Sequence, residues 1–194
     1  MTYETCTGTT HSDFDSLMSL VAKLRAAFRI PPKERALISF VLHFRQPMPL
    51  TDGRIQLAVE RAWGRAVSEE RNEHITNKPP LCFVKFENFV LLLRSGARNY
   101  CPAEYLEEAL AQFPEETQKA VACDHKAFLT IDLMNPKHPT RSEKKACYRR
   151  MGSLAAELVD ENCMGVYVPE TGRMYPYHVE LTAALRSNDP VRAL

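Results

Sequence analysis

Residues 81–94 read Leu81-Cys82-Phe83-Val84-Lys85-Phe86-Glu87-Asn88-Phe89-Val90-Leu91-Leu92-Leu93-Arg94. Residues 81–86 and 89–94 are both aromatic and aliphatic runs of strand length. Only Glu87-Asn88 separates them. A two-residue link cannot hold a crossover, so the two strands must pair antiparallel. That argues against a doubly wound parallel sheet and for an α+β class.

Working outward, residues 37–44 form a β-prone run that Pro47 and Pro49 break. Thr51 or Asp52 then caps a helix to about residue 67, with Ile55, Val59, Ala62 and Ala66 along one side. Beyond the hairpin, Pro102 opens a helix to residue 112, and Pro114 opens another helical stretch to about residue 121. The order then restarts. Residues 126–133 read as a strand, and Thr140 with Glu143 makes a capping-box signature before a long helix to about residue 160. Residues 164–168 and 173–175 read as strands, and residues 179–186 as a last helix. Ahead of all this, residues 13–28 carry Phe14, Leu17, Val21, Leu24 and Phe28 in steps of three and four, a narrow apolar seam on one helix face.

The two halves also match by position. Phe44 falls on Leu133, Pro47 on Pro136, Thr51 on Thr140, Ala58 on Cys147 and Ala62 on Met151, each 89 residues apart. The offset then falls to 81 between Cys82 and Cys163, and to 75 between Tyr100 and Tyr175. The expectation is a duplicated α+β domain over residues 35–194. It holds two pseudo-symmetric βαββα, ferredoxin-like repeats (35–122 and 123–194) with mainly antiparallel sheet. A tail and N-terminal helix over residues 1–34 precede it. Three core-strand patterns go with this plan: Leu37-Ile38-Ser39-Phe40-Val41-Leu42, His125-Lys126-Ala127-Phe128-Leu129-Thr130-Ile131 and Cys163-Met164-Gly165-Val166-Tyr167. Together they resemble an uncharacterised bacterial domain-of-unknown-function family over about residues 36–168. The resemblance implies the same duplicated fold and brings no activity, cofactor or catalytic residue.

Bulk properties narrow the function. The 194 residues have a formal net charge of +1, which gives no global field for nucleic acid or membrane. The longest purely apolar stretch is far short of the roughly 20 residues that span a bilayer. The polar start lacks a signal peptide, and six cysteines lie scattered without a Cys-x-x-Cys pair. These features place the chain in the cytoplasm with free thiols, without cofactor.

Candidate chemistry is sparse. Cys123 and His125, two apart, would point to one side of a strand, and His138 and Cys147 could join them, but a single close pair is short of a metal-site pattern. Cys123/His125 and Cys101/His178 are candidate thiol dyads. His43 and Asp132 occupy one repeat position and, with His125, are the catalytic candidates for acid–base work. The one charge anomaly is residues 137–150, where Lys137, Arg141, Lys144, Lys145, Arg149 and Arg150 face only Glu143. Basic groups at a helix start, where unpaired N–H groups already favour anions, make His138, Arg141, Lys144 and Lys145 a candidate anion site. The functional expectation is a non-catalytic binding or assembly module. Its partners would be a second copy through the N-terminal helix, a small anion or an acidic protein, rather than nucleic acid. The alternative is an enzyme acting on a small anionic or phosphorylated ligand in a cleft between the repeats.

Overall fold

The computed structural model describes residues 38–101, 106–134 and 139–194. The helix expected over residues 13–28, its dimer seam and His138 lie outside them.

Among the described residues, seven strands form one antiparallel sheet: β1 Ser39–Phe44, β2 His74–Lys78, β3 Leu81–Phe86, β4 Phe89–Gly96, β5 Ala127–Leu133, β6 Cys163–Val168 and β7 Arg173–Pro176. Their order across the sheet is β2-β3-β4-β5-β1-β6-β7. The helices are α1 Asp52–Trp63, α2 Leu106–Ala111, α3 Glu116–Asp124, α4 Arg141–Leu158, α5 Leu181–Leu185 and α6 Pro190–Ala193. The chain is thus an α+β domain with an antiparallel sheet, as residues 81–94 require.

Strand alternation divides the side chains between two faces. Phe40, Leu42 and Phe44 of β1, Leu129 and Ile131 of β5, Leu91 and Leu93 of β4, and Cys82, Val84 and Phe86 of β3 join Ile55, Val59, Met151, Leu154 and Leu158 of α1 and α4 in one core. A smaller cluster lies on the opposite face, where Phe113, Val121 and Ala122 pack on Met174 with Met164 and Tyr167 alongside. All six residues of β1 are buried, so this central strand is covered on both faces. Its hydrophobic run needs no alternation for that reason.

Local chemistry sets the element ends. The Thr51 side chain accepts from the Arg54 N–H, and Gly64 closes α1 at φ 72°. Thr140 and Glu143 cap each other's backbone in the expected box at the start of α4. At the β3–β4 turn Glu87 holds a left-handed φ of 52°. Its N–H donates to Glu73, and its carboxylate lies on Arg65 and Arg150, which holds this unfavourable conformation in place.

The sheet departs from two copies of one unit in two ways. First, the polar stretch between α1 and β3 contains a strand, β2, with no counterpart in the second half. As an edge strand it is half exposed, and His-Ile-Thr-Asn-Lys shows too little apolar alternation to read as one. Second, the hairpins are seated in opposite order. In the first half the later strand, β4, lies inward beside β5; in the second half the earlier strand, β6, lies inward beside β1. The offset of 81 therefore equates strands at unlike positions, outer β3 with inner β6, and the offset of 75 sets Tyr100, outside any strand, on Tyr175 of β7, because aligned residue types do not fix which hairpin strand faces the centre.

Candidate functional site

His43 lies near the end of β1, on the face away from α1 and α4. It is 2% exposed. Its ring meets His125 edge-on at a centroid distance of 4.1 Å and Tyr100 at 5.9 Å. Among the described residues, neither ring nitrogen has a hydrogen-bond partner. Burial, and then the neighbouring His125, push its pKa well below the ordinary histidine value, so the ring is neutral.

His125 follows α3 and is saturated. Its Nδ1–H donates to the Val121 carbonyl at 2.8 Å, and its Nε2 accepts the Tyr100 N–H at 2.8 Å. This fixes one neutral tautomer, and burial lowers its pKa as well. Asn99 adds bonds to the Ala122 and Cys123 carbonyls, so the segment after β4 is pinned to the end of α3. His125 is a structural pin with no free nitrogen for catalysis.

Asp132 is engaged elsewhere. Its two oxygens accept from Ser39 Oγ at 2.5 Å and Thr130 Oγ1 at 2.8 Å. In the β1–β5 register it lies opposite Ser39, whereas His43 lies opposite Phe128. Four residues of extended chain separate them, about 13 Å. The expected symmetric positions are therefore two ends of a strand pair and not one acid–base site. The group that senses Asp132 is Tyr100, whose phenol is raised by burial first and by the Asp132 charge second, with Arg94 opposing.

Among the described residues, Cys82, Cys101, Cys123, Cys147 and Cys163 form no disulfide. Burial raises the Cys163 thiol to about 12 and the Cys82 thiol to about 11, which keeps both protonated at neutral pH. His178 faces Glu180 at 3.1 Å. Among the described residues no group of three metal-ligating side chains occurs. No described helix is long and apolar enough to cross a membrane.

At the start of α4 the cations diverge. Lys144 pairs with Glu170, which also accepts from Tyr148 Oη at 2.7 Å. Lys145 pairs with Asp189 at 3.2 Å, and Arg150 with Glu87 at 3.3 Å. The capping box already occupies the Glu143 N–H. Arg141 is exposed. A shallow groove of about 400 Å³ runs between residues 45–49 and 160–162. Its polar groups bond one another: Arg45 and Gln46 to Asn162, and Arg54 to Asp160.

The strongest ionic cluster centres on Glu73, which is 1% exposed. Arg65 grips its carboxylate through two nitrogens at 2.7 and 2.6 Å, and Arg71 adds a third bond at 3.2 Å. The Arg65 hydrogen bonds hold the Glu73 pKa at about 2. The Arg65 guanidinium also stacks 4.0 Å over Phe86. This cluster clasps the end of α1 to β2 and to the β3–β4 turn.

The opposite face of β2, β3 and β4 was not singled out by sequence reasoning. It presents His74, Thr76 and Lys78 from β2; Leu81, Phe83 and Lys85 from β3; and Val90, Leu92 and Arg94 from β4. Phe83 is 38% exposed, and Leu81, Val90 and Leu92 are half-buried. None of the four belongs to either hydrophobic core. The signal was present in the sequence: Phe83 alternates out of phase with Cys82, Val84 and Phe86. No family model, curated protein or solved structure matches this chain.

Proposed function

We propose that the chain is a protein-binding module rather than a catalyst, and that it docks its partner on the β2–β4 half of the sheet face away from α1 and α4. The observation that carries this reading is the composition of that half-face. Exposed Phe83 sits among half-buried Leu81, Val90 and Leu92, with His74, Lys78, Lys85 and Arg94 as the charged or titratable side chains that β2, β3 and β4 add to this face and Asp132 of β5 at its inner border. An exposed aromatic in an apolar patch is the common anchor of a docked partner. The competing enzyme would need His43, His125 and Asp132 to act together; His43 does touch His125, but both His125 ring nitrogens are engaged, and Asp132 is held by Ser39 and Thr130 at the other end of the strand pair from His43. The free thiols fit a reducing compartment such as the cytoplasm. Within the fold, β1–α1 and β5–α4 are read as copies of one unit. The shared 89-residue offset and the paired caps Thr51 and Thr140 support this.

The test is selection of displayed random 12-residue peptides against the full chain and against Phe83→Glu. Selected peptides are expected to bind the parent and to lose at least tenfold in affinity on Phe83→Glu, while the melting temperature stays put. Equal binding by the two proteins, or failure to select any peptide, overturns the reading.

A further inference from the structure

β2 pairs with β3 on one side and forms the edge of the sheet. Which of its backbone groups face outward follows from one bond. The Ser95 N–H donates to the Pro80 carbonyl at 2.9 Å, so Pro80, Cys82, Val84 and Phe86 direct their backbone toward β4. Leu81, Phe83 and Lys85 then face β2 and pair with Lys78, Thr76 and His74. By the same alternation the N–H and C=O groups of Ile75 and Asn77 point out of the sheet.

Natural edge strands are commonly blunted by shortness, proline, a bulge, an inward charge or an edge lysine; of these β2, five residues long, carries Lys78 at its end. β2 contains no proline, and its register with β3 is unbroken from His74 to Lys78. The prolines begin only at Pro79, past its end. Beside this edge β2, β3 and β4 place His74, Lys78, Lys85 and Arg94 on the sheet face, and the nearest carboxylate along the ladder is Asp132 of β5, opposite Leu92. Among the described residues no ion pair engages Lys78 or Lys85, although most cations around Glu73 and on α4 are paired.

We infer that β2 is a receptor edge: an extended segment of a partner protein joins it as an eighth strand, and that segment is acidic on the face it shares with Lys78 and Lys85. This rests on the binding-module reading and names its partner class. Outward backbone groups at Ile75 and Asn77 supply ladder bonds that are indifferent to sequence. Specificity comes from alternation. Every second residue of the guest lies beside His74, Thr76 and Lys78, where carboxylates meet cations. The residues between them lie on the α1 side, beside Ile75, where an aliphatic side chain extends the core, and beside Asn77, whose amide bonds the Leu50 carbonyl and the Asp52 carboxylate. The body of the partner then covers Phe83.

The probe is a capped seven-residue peptide alternating Glu and Val, with Lys in place of Glu as comparator, titrated into the isotopically labelled full chain. The Glu peptide is expected to bind at least tenfold tighter than the Lys peptide at low salt and to weaken as salt rises. The amide resonances of Ile75 and Asn77 should move and gain protection from exchange. Lys78→Glu with Lys85→Glu, both at solvent-facing positions, should reverse the preference. Ile75→Pro removes one outward donor and should abolish binding. Equal affinity for the two peptides, or shifts that leave β2 untouched, overturns strand addition. If displayed peptides still depend on Phe83 in that case, the docking face stands and only the mode is wrong. If they ignore Phe83, the binding reading falls with it.

Discussion

At neutral pH His43 is an uncharged ring with no hydrogen-bond partner among the described residues, held between His125 and Tyr100. Burial lowers the pKa of both histidines below the ordinary 6.5. Their contribution to stability is therefore complete above pH 6.5. It is lost below that, because the unfolded chain takes up protons that the native rings refuse. The slope is up to about 1.4 kcal/mol per pH unit for each ring. Glu73 adds a second window with the same sense, since its folded pKa of about 2 lies below the ordinary 4.5. That contribution drains away as pH falls from about 4.5 toward 2. His43→Phe keeps an aromatic of similar shape and removes two unpaired nitrogens. Thermal melts should show the variant gaining on the parent at pH 5.5 by more than at pH 7.5. An identical shift at both pH values would place the acid sensitivity elsewhere. Sequence reasoning chose His43 and His125 separately. Their contact is invisible there because it joins residues far apart in the chain, across two elements.

Among the elements, α4 and the terminal helices meet at a point with no room for a side chain. A Cβ on Gly152 would lie 2.4 Å from the Leu185 carbonyl oxygen and 2.8 Å from Pro190 Cγ. Alanine normally stabilises a helix interior relative to glycine, by up to about 1 kcal/mol. Here the clash with backbone wins, and overpacking of this kind costs about 1–3 kcal/mol. Gly152→Ala should lower the urea midpoint without changing the slope. Gly53→Ala in α1, with nothing within 4 Å of its added Cβ, should leave stability level or raise it by about 0.4–1 kcal/mol. If both substitutions moved the midpoint the same way, α5 and α6 would not be packed on α4 as described. Caps and strands were legible at this scale because they are local. Thr51, Thr140 and the Glu87-Asn88 turn all act within four residues of themselves. β2 was not legible, because an exposed edge places little apolar demand on its sequence. Gly152 gave no signal either, since its partners lie on helices α5 and α6.

For the whole molecule, antiparallel pairing was readable from residues 81–94, and the order of strands was not. Hairpin chemistry states that β3 and β4 are neighbours; which of them turns inward depends on the far half of the chain. β1 illustrates the point. It pairs with β5 and β6, and with no strand of the first half. The expected repeat boundary near residue 122 is therefore no line of separation. A fragment covering residues 36–124 keeps the β2–β3–β4 hairpins and leaves β1 without a neighbour. It should lack a cooperative thermal transition, and a fragment that melted cooperatively with β1 amides protected would contradict the sheet order.

The seating of β1 also sets a timetable. A chain leaves the ribosome from its amino end, so Ser39-Phe40-Val41-Leu42-His43-Phe44 is in solution long before residues 127–133 exist to flank it, and residues 163–168 come later still. The most deeply buried strand is made first and sheltered last. Nascent chains halted before residue 125 should be cut readily by protease near residue 44, and chains extended past residue 176 should resist at the same place. During that interval the cell, and not the fold, has to keep the four buried apolar residues of β1 out of trouble.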